Sequence, residues 1–273
     1  MSKLLIRTLS GFAFAILTIA SILYNQFSIS TYLFILMLIC LFEFKRLIHL
    51  RSFWIYINTA LIYINFAIHY WVDIELTPIA INVAAYALTF GLVAQLINIL
   101  FLKKEEKLGE LKKAGLTLIY IAIPFSIGLG LGFVQYPKES YSPTFLLALF
   151  FLLWSNDSFA YLIGKNIGKT PLAPKISPKK TVEGFVGGVI STILMATVLS
   201  FFENSIGAFE WTFLAIIIGV SGVVGDLIES FFKRKAGAKD SGNIMPGHGG
   251  FLDRLDSFIF AAPLAYVYLT LIL

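Results

Sequence analysis

The feature that most constrains this chain is a succession of apolar runs, each about the 17 to 25 residues an α-helix needs to cross a hydrocarbon core about 30 Å thick. Nine are read, at 9–24, 30–47, 53–71, 79–102, 114–134, 143–163, 184–202, 211–232 and 257–273. In lipid every backbone N–H and C=O must be satisfied within the protein, which leaves helices or closed barrels. Membrane barrel strands run about 10 residues and alternate in polarity, a pattern absent from this sequence. The expected fold is all-α, a polytopic integral membrane protein with about nine transmembrane helices. Composition agrees: 14% of the 273 residues are charged, against about a quarter in soluble domains.

The basic residues fix an expected orientation. Lys3 and Arg7 precede the first run, and Lys45, Arg46 and Arg51 follow the second. Lys103, Lys104, Lys107, Lys112 and Lys113 follow the fourth, and Lys165, Lys169, Lys175, Lys179 and Lys180 follow the sixth. Lys233, Arg234, Lys235, Lys239 and Arg254 follow the eighth. Thus 20 of the 21 Lys and Arg share one side, and Lys138 alone stands opposite, among Asp73, Glu75, Glu203 and Glu210. The positive-inside rule puts the N-terminus and these loops in the cytoplasm and the C-terminus outside. Lys3 and Arg7 before an apolar run also fit a signal peptide, but no small-residue cleavage site follows, so a retained helix is expected. The net charge of +5 is then a matter of loops beside anionic membrane lipids. A nucleic-acid partner is not expected, because no basic stripe is interleaved with stacking aromatics. Cys40 is the only cysteine, so no internal disulfide forms. Residues 1–140, spans one to five, read as scaffold; residues 141–273, spans six to nine with their cytoplasmic loops, read as the catalytic half.

Ionisable groups within spans are expensive and mark function. Asn156 and Asp157 lie in span six and Asp226 in span eight, each about seven residues, or about 10 Å, from the cytoplasmic end. Glu229 and Ser230 share the helix face of Asp226 by their spacing. Spans six and eight are therefore expected to line a polar cavity open to the cytoplasm. Each acid also has a plainer reading, as a partner for a neighbouring lysine or as an interfacial side chain. Glu43, near the end of span two, is the weakest candidate, with Lys45 or Arg46 at hand to neutralise it. Small residues such as Gly184, Gly188, Ser221 and Gly225 also suit ordinary helix packing.

The loops carry the remaining chemistry. The stretch 164–170, GKNIGKT, fails as a phosphate-binding P-loop: three residues separate its glycines instead of four, and it follows a membrane helix, not a strand. Farther on, Pro178 sets a turn, two lysines follow, and Thr181 and Glu183 fall where a helix should begin. Helix N-termini with adjacent lysines bind phosphate; an ordinary capped helix with interfacial lysines fits equally well. Between spans eight and nine, Gly249 and Gly250 beside His248 offer backbone N–H groups that can approach an anion. Asp253 and Asp226 come from different helices and can converge on one cation, for which hard carboxylate oxygens suit Mg²⁺. One His in this loop and a single Cys do not make an ordinary zinc site. No nucleophile-elbow pattern accompanies His248.

The stretch 230–256 resembles the signature of the phosphatidate cytidylyltransferases (CDP-diacylglycerol synthases). Ser230, Lys233-Arg234, Lys239-Asp240, Gly242, Pro246, His248-Gly249-Gly250 and Asp253-Arg254-Leu255-Asp256 match it. Met245 departs from it, standing where the pattern has Leu, Ile or Phe, a swap of similar volume. Upstream, Asp157, Ala160-Tyr161, Gly164, Gly168 and the run from Ser177 through Thr181 to Glu183-Gly184 are also similar to that family. The likeness is dense in the second half of the chain and general in the first. It implies transfer of CMP from CTP to phosphatidic acid, giving CDP-diacylglycerol and pyrophosphate, in a homodimer of the bacterial inner membrane. It further implies that Asp226 and Asp253 hold Mg²⁺ with K⁺ as a second cation. Lys179, Lys180, Lys239 and Arg254 are expected to grip phosphates, with Lys239 and Arg254 counted as catalytic alongside the two acids. Asp157, Thr181, Glu183, Lys233, Arg234, Asp240, His248, Gly249, Gly250 and Asp256 are expected to line the substrate site. Transfer to an isoprenoid-linked phosphate, or polyprenol kinase activity, would go with a different loop. An ion-coupled transporter would place its acids nearer the midplane, with internal repeats.

Overall fold

The computed structural model describes residues 3–71, 83–93, 109–135 and 141–273. The fourth expected span is described only at 83–93; Asp73, Glu75, Lys103, Lys104, Lys107 and Lys138 lie outside the described residues. Helices α1 (Lys3–Tyr24) and α2 (Gln26–Leu47) are separated by Asn25, whose Oδ1 accepts the Ser28 N–H at 2.8 Å and starts α2. A polar N-cap of this kind is worth about 1 kcal/mol. Next come α3 (Trp54–Trp71), α4 (Val83–Val93) and α5 (Glu110–Gly132). Helix α5 widens into a π-turn at Leu118–Ala122, just before Pro124. Proline removes one helical hydrogen bond and crowds the carbonyl four residues back; a π-turn is one way to take up that mismatch.

The second half contains α6 (Thr144–Ile167), α7 (Val182–Leu199), α8 (Ala208–Lys235) and α9 (Leu252–Ile272). Between α6 and α7, β1 (Pro171–Ala173) and β2 (Ser177–Thr181) pair antiparallel, with Pro171 opposite Thr181 and Ala173 opposite Ser177. This hairpin is the one departure from all-helical structure among the described elements, in a segment expected to be loop. Among the described residues seven helices are long and apolar enough to cross a membrane, and the chain is an integral membrane protein. The 18-residue α3 is diluted by Asn58, Asn65 and His69.

Helix α9 begins at Leu252, five residues before the apolar run read as span nine, so Asp253 and Asp256 lie in its first turns, ahead of that run. An acid in the first turn is favoured by the helix dipole. The most extensive helix contacts are α6 with α7, α8 with α9, and α7 with α8. Helices α2, α5 and α8 meet through Phe44, Tyr120 and Phe232, whose ring centroids lie 4.7 to 5.5 Å apart. This aromatic knot sits one residue from Glu43 on α2 and one from Lys233 on α8, and it fixes both chains where the polar centre begins.

Candidate active site

The hairpin and the start of α7 form one wall. Thr181 caps α7, its Oγ1 accepting the Gly184 N–H at 3.2 Å. Glu183 accepts the backbone N–H of Lys169 at 3.0 Å and the Thr170 hydroxyl at 2.9 Å. The Glu183 carboxylate therefore ties the end of α6 to the start of α7. Successive strand residues face opposite sides: Lys179 is exposed, while Lys180 turns inward to pair with Asp226 Oδ2 at 2.5 Å.

Helices α8 and α9 supply the acids. Asp226, Glu229 and Asp256 each bring a carboxylate oxygen within 4.8 Å of the others. Gly225 permits this: a Cβ there would strike the Asp256 carbonyl oxygen, so the helices touch backbone to backbone beside the acids. Ser230 donates to Asp226 Oδ1 at 3.2 Å. Lys233 pairs with the fully buried Glu229 one turn back and with Asp253 Oδ1 at 2.7 Å. Glu229 Oε1 is buried without a hydrogen bond. Asp157 of α6 is exposed at the protein surface and lies within electrostatic reach of Asp226, Lys180 and Arg254. Five carboxylates thus gather around Lys180 and Lys233, an excess of negative charge in a largely buried place.

The loop between α8 and α9 is wound onto this centre. Asp253 Oδ2 accepts the Gly250 N–H at 2.8 Å, the Ser241 N–H at 3.0 Å and the Ser241 hydroxyl at 3.0 Å. Gly249 has φ +89°, and a Cβ there would lie 2.8 Å from Asp253 Oδ2, so this position needs glycine on both counts. Arg254 is exposed, its Nη2 reaching the His248 carbonyl at 3.4 Å. Arg234 donates to the Ile176 carbonyl at 3.3 Å and the Ala238 carbonyl at 3.0 Å, joining the hairpin turn to the loop. Lys179, Lys239 and Asp240 are exposed and make no side-chain hydrogen bond or ion pair among the described residues.

The first two helices also reach this loop. Ser10 Oγ of α1 lies 2.8 Å from His248 Nδ1 and 3.0 Å from the Pro246 carbonyl. When the Ser10 hydroxyl donates to that carbonyl, Nδ1 carries the ring hydrogen and Nε2 remains an acceptor. Burial, with Arg254 and Arg7 nearby, holds the His248 imidazole below the ordinary histidine range, favouring its neutral form. Glu43 of α2 accepts the Leu252 N–H at 2.8 Å, the Phe251 N–H at 3.2 Å and the Ser241 hydroxyl at 3.2 Å.

Of the residues singled out from sequence, the structure gathers Asp157, Lys180, Lys233, Asp226, Asp253 and Asp256 into one cluster, with Thr181, Glu183, Arg234, His248 and Gly249 around it. Asp226 has Glu229 and Asp256 as carboxylate neighbours, all within 4.8 Å, while Asp253 is engaged by Lys233, Ser241 and Gly250. Lys45 and Arg46 lie over the Tyr56 and Phe42 rings and do not neutralise Glu43. Sequence reasoning missed Ser10 and Ser241 and undervalued Glu43; a lone acid in an apolar run was the available signal. The donor set suits a hard cation: three carboxylates from two helices, one buried oxygen without a hydrogen bond, and no sulfur or imidazole ligand in the group.

Comparison with known proteins matches residues 5–272 to the cytidylyltransferase family. The phosphatidate cytidylyltransferase of Bacillus subtilis (strain 168) is 38% identical over 184 residues, 67% of this chain and 66% of the relative. That of Aquifex aeolicus (strain VF5) is 42% identical over 181 residues, 66% of this chain and 65% of the relative. That of Staphylococcus haemolyticus (strain JCSC1435) is 43% identical over 143 residues, 52% of this chain and 55% of the relative. The chain spans about half to two thirds of the length of these curated relatives. It belongs to the cytidylyltransferase family.

Proposed function

We propose that this member of the cytidylyltransferase family transfers CMP from CTP to phosphatidic acid, releasing pyrophosphate and forming CDP-diacylglycerol at the cytoplasmic face of a bacterial inner membrane. The observation that carries the reading is the meeting of Asp226, Glu229 and Asp256 with Lys180 and Lys233 inside a bundle of membrane-length helices. A lipid-linked acceptor needs access from the bilayer and a nucleotide needs access from water; a polar centre at one end of a membrane bundle offers both. The names of the relatives supply the substrates, and the 20-to-1 division of basic residues supports the orientation.

In this reading a lipid phosphate oxygen attacks the α-phosphorus of CTP in line with the departing pyrophosphate, and no protein nucleophile is needed. Positioning and charge compensation do the work, as in phosphoryl transfer generally. Lys180 on the inner wall and Lys179, Lys239 and Arg254 on the exposed rim would grip phosphate oxygens. Asp226 is shared between two ligand sets. With Glu229 and Asp256 it forms the group already close together, and with Asp253 it forms the pair expected from sequence. Mg²⁺ held there would neutralise phosphate charge; K⁺ as a second cation and a homodimeric assembly complete the reading.

The test is pyrophosphate release by purified protein given CTP, phosphatidic acid and Mg²⁺ in detergent. Asp226→Asn is expected to lower it at least a hundredfold with folded protein still recovered. Comparing Asp253→Asn with Asp256→Asn for Mg²⁺ concentration dependence separates the two ligand sets: the true ligand shifts that dependence, the other lowers turnover alone. Near-normal turnover and Mg²⁺ dependence in Asp226→Asn would remove the metal assignment. No product from the unaltered protein with any CTP and phosphatidic acid combination would remove the functional reading.

A further inference from the structure

Resting on that functional reading, we propose that Glu43, on the second helix and outside the signature, is a positioning residue that holds the signature loop and the first turn of α9 so that Asp253 meets Lys233. Glu43 is 1% exposed. Its carboxylate takes the N–H groups of Phe251 and Leu252, which begin α9. Phe251 stands at the N-cap, and no side chain there caps the helix. Glu43 thus does from 209 positions away in sequence what a Ser or Asp does locally. The positive end of the α9 dipole favours an anion at this place, and here the protein supplies its own. These two N–H groups are consequently not offered to a substrate phosphate, which leaves the lysines for that task.

The link to the reacting centre is Ser241. Its hydroxyl lies 3.2 Å from Glu43 Oε2 and 3.0 Å from Asp253 Oδ2. One hydroxyl proton faces two carboxylates, so the two acids are joined through a single group. The loop is shaped to accept this carboxylate: a Cβ on Gly242 would lie 2.9 Å from Glu43 Cδ, and one on Gly250 would lie 2.5 Å from Glu43 Oε2. Asp253 in turn holds Lys233 at 2.7 Å. The chain of contacts therefore runs from α2 through Ser241 and Asp253 to the lysine that pairs with Glu229.

Glu43→Gln keeps the volume but replaces one acceptor with a donor that faces backbone N–H groups. Its kcat for pyrophosphate release is expected to fall at least tenfold, with the KM for CTP changed less than threefold. In the same protein without substrate, amide hydrogen exchange over 241–252 should quicken while α6 and α7 remain as protected as before. Ser241→Ala, a milder change, should reproduce the exchange effect, and the double variant should be no worse than the worse single one, because both interrupt one path. Unchanged kcat in folded Glu43→Gln, or multiplicative losses in the double variant, would reduce Glu43 to a helix cap and overturn the inference. Should Glu43→Gln fail to fold, an unchanged kcat and exchange pattern in Ser241→Ala would overturn it equally. If the unaltered protein releases no pyrophosphate, the functional reading fails, whereas the exchange result still decides whether Glu43 holds the loop.

Discussion

Lys233→Met removes the ammonium that bridges Glu229 and Asp253. The Lys233 side chain is 10% exposed and pairs with Glu229, fully buried, and with Asp253, 7% exposed. Methionine preserves most of the apolar stem and leaves both carboxylates, with Asp256 beside Glu229, without a cation from α8. Breaking a buried ion pair by removing one partner costs about 3–5 kcal/mol. The hydrogen bonds from Ser241 and Gly250 to Asp253 place the expectation at the lower end of that range. The altered centre is also a better cation site. A ligand that binds only the folded state stabilises it by about 2.7 kcal/mol at a hundredfold excess over its dissociation constant. Unfolding in mixed detergent, followed by tryptophan fluorescence, should therefore show the variant about 3 kcal/mol less stable than the unaltered protein in EDTA. Saturating Mg²⁺ should restore most of that loss while moving the unaltered protein less, and Na⁺ at equal ionic strength should not. A variant as stable as the parent in EDTA would refute the reasoning about the ion pair. A loss that Mg²⁺ leaves untouched would refute the reading of these carboxylates as cation ligands.

Three further outcomes are expected. In a Cys40→Ala background, Asn204→Cys should be labelled by an impermeant thiol reagent only from outside intact cells, and Lys239→Cys only after permeabilisation; labelling of both from one side would overturn the orientation. Gly225→Val should push α8 from α9 at the Asp256 carbonyl, lower stability by about 1–3 kcal/mol and abolish Mg²⁺-dependent pyrophosphate release, whereas Gly115→Ala, with nothing within 4 Å of its added Cβ, should do neither. Because His248 is held below the ordinary histidine range by burial and by Arg254 and Arg7, the unfolded chain takes up a proton first. Its contribution to stability is then complete above about pH 6.5 and declines as pH falls through the folded value. Unfolding measured from pH 8 to 5 should show that decline in the parent and less of it in His248→Asn; equal slopes would count against the assignment.

Much of the bundle was legible because lipid permits few solutions: long apolar runs must be helices. The pairing of Thr181 and Glu183 with a helix start was legible for a local reason, since capping chemistry sits within a few residues. The hairpin was not, because three- and five-residue strands rich in Pro and Lys carry no alternating pattern. The apolar run marks α9 from residue 257 and not from its true start, because Asp253, Arg254 and Asp256 carry no hydropathy signal; the helix dipole favours Asp253 there, and its partners Lys233 and Ser241 come from other parts of the chain. Asp226 was visible as an acid within an apolar run, but its closeness to Asp256 depends on Gly225, which by itself reads as an ordinary packing notch.

The contact between Glu43 and the start of α9 bears on how the protein is made. Helix α2 leaves the ribosome roughly two hundred residues ahead of the backbone groups its carboxylate will bind. Until then the acid has been delivered to the membrane without its partners, and ligands so far apart in sequence close slowly. The second helix must therefore wait, its acid solvated or screened by the insertion machinery, while the intervening helices and the hairpin are threaded in. Helix α9 docks onto a prepared anion and completes the centre in the same act. Assembly and the gain of a finished site are then one event, so a chain stalled before α9 retains the acids of α6 and α8 but lacks the clasp that joins α2 to them.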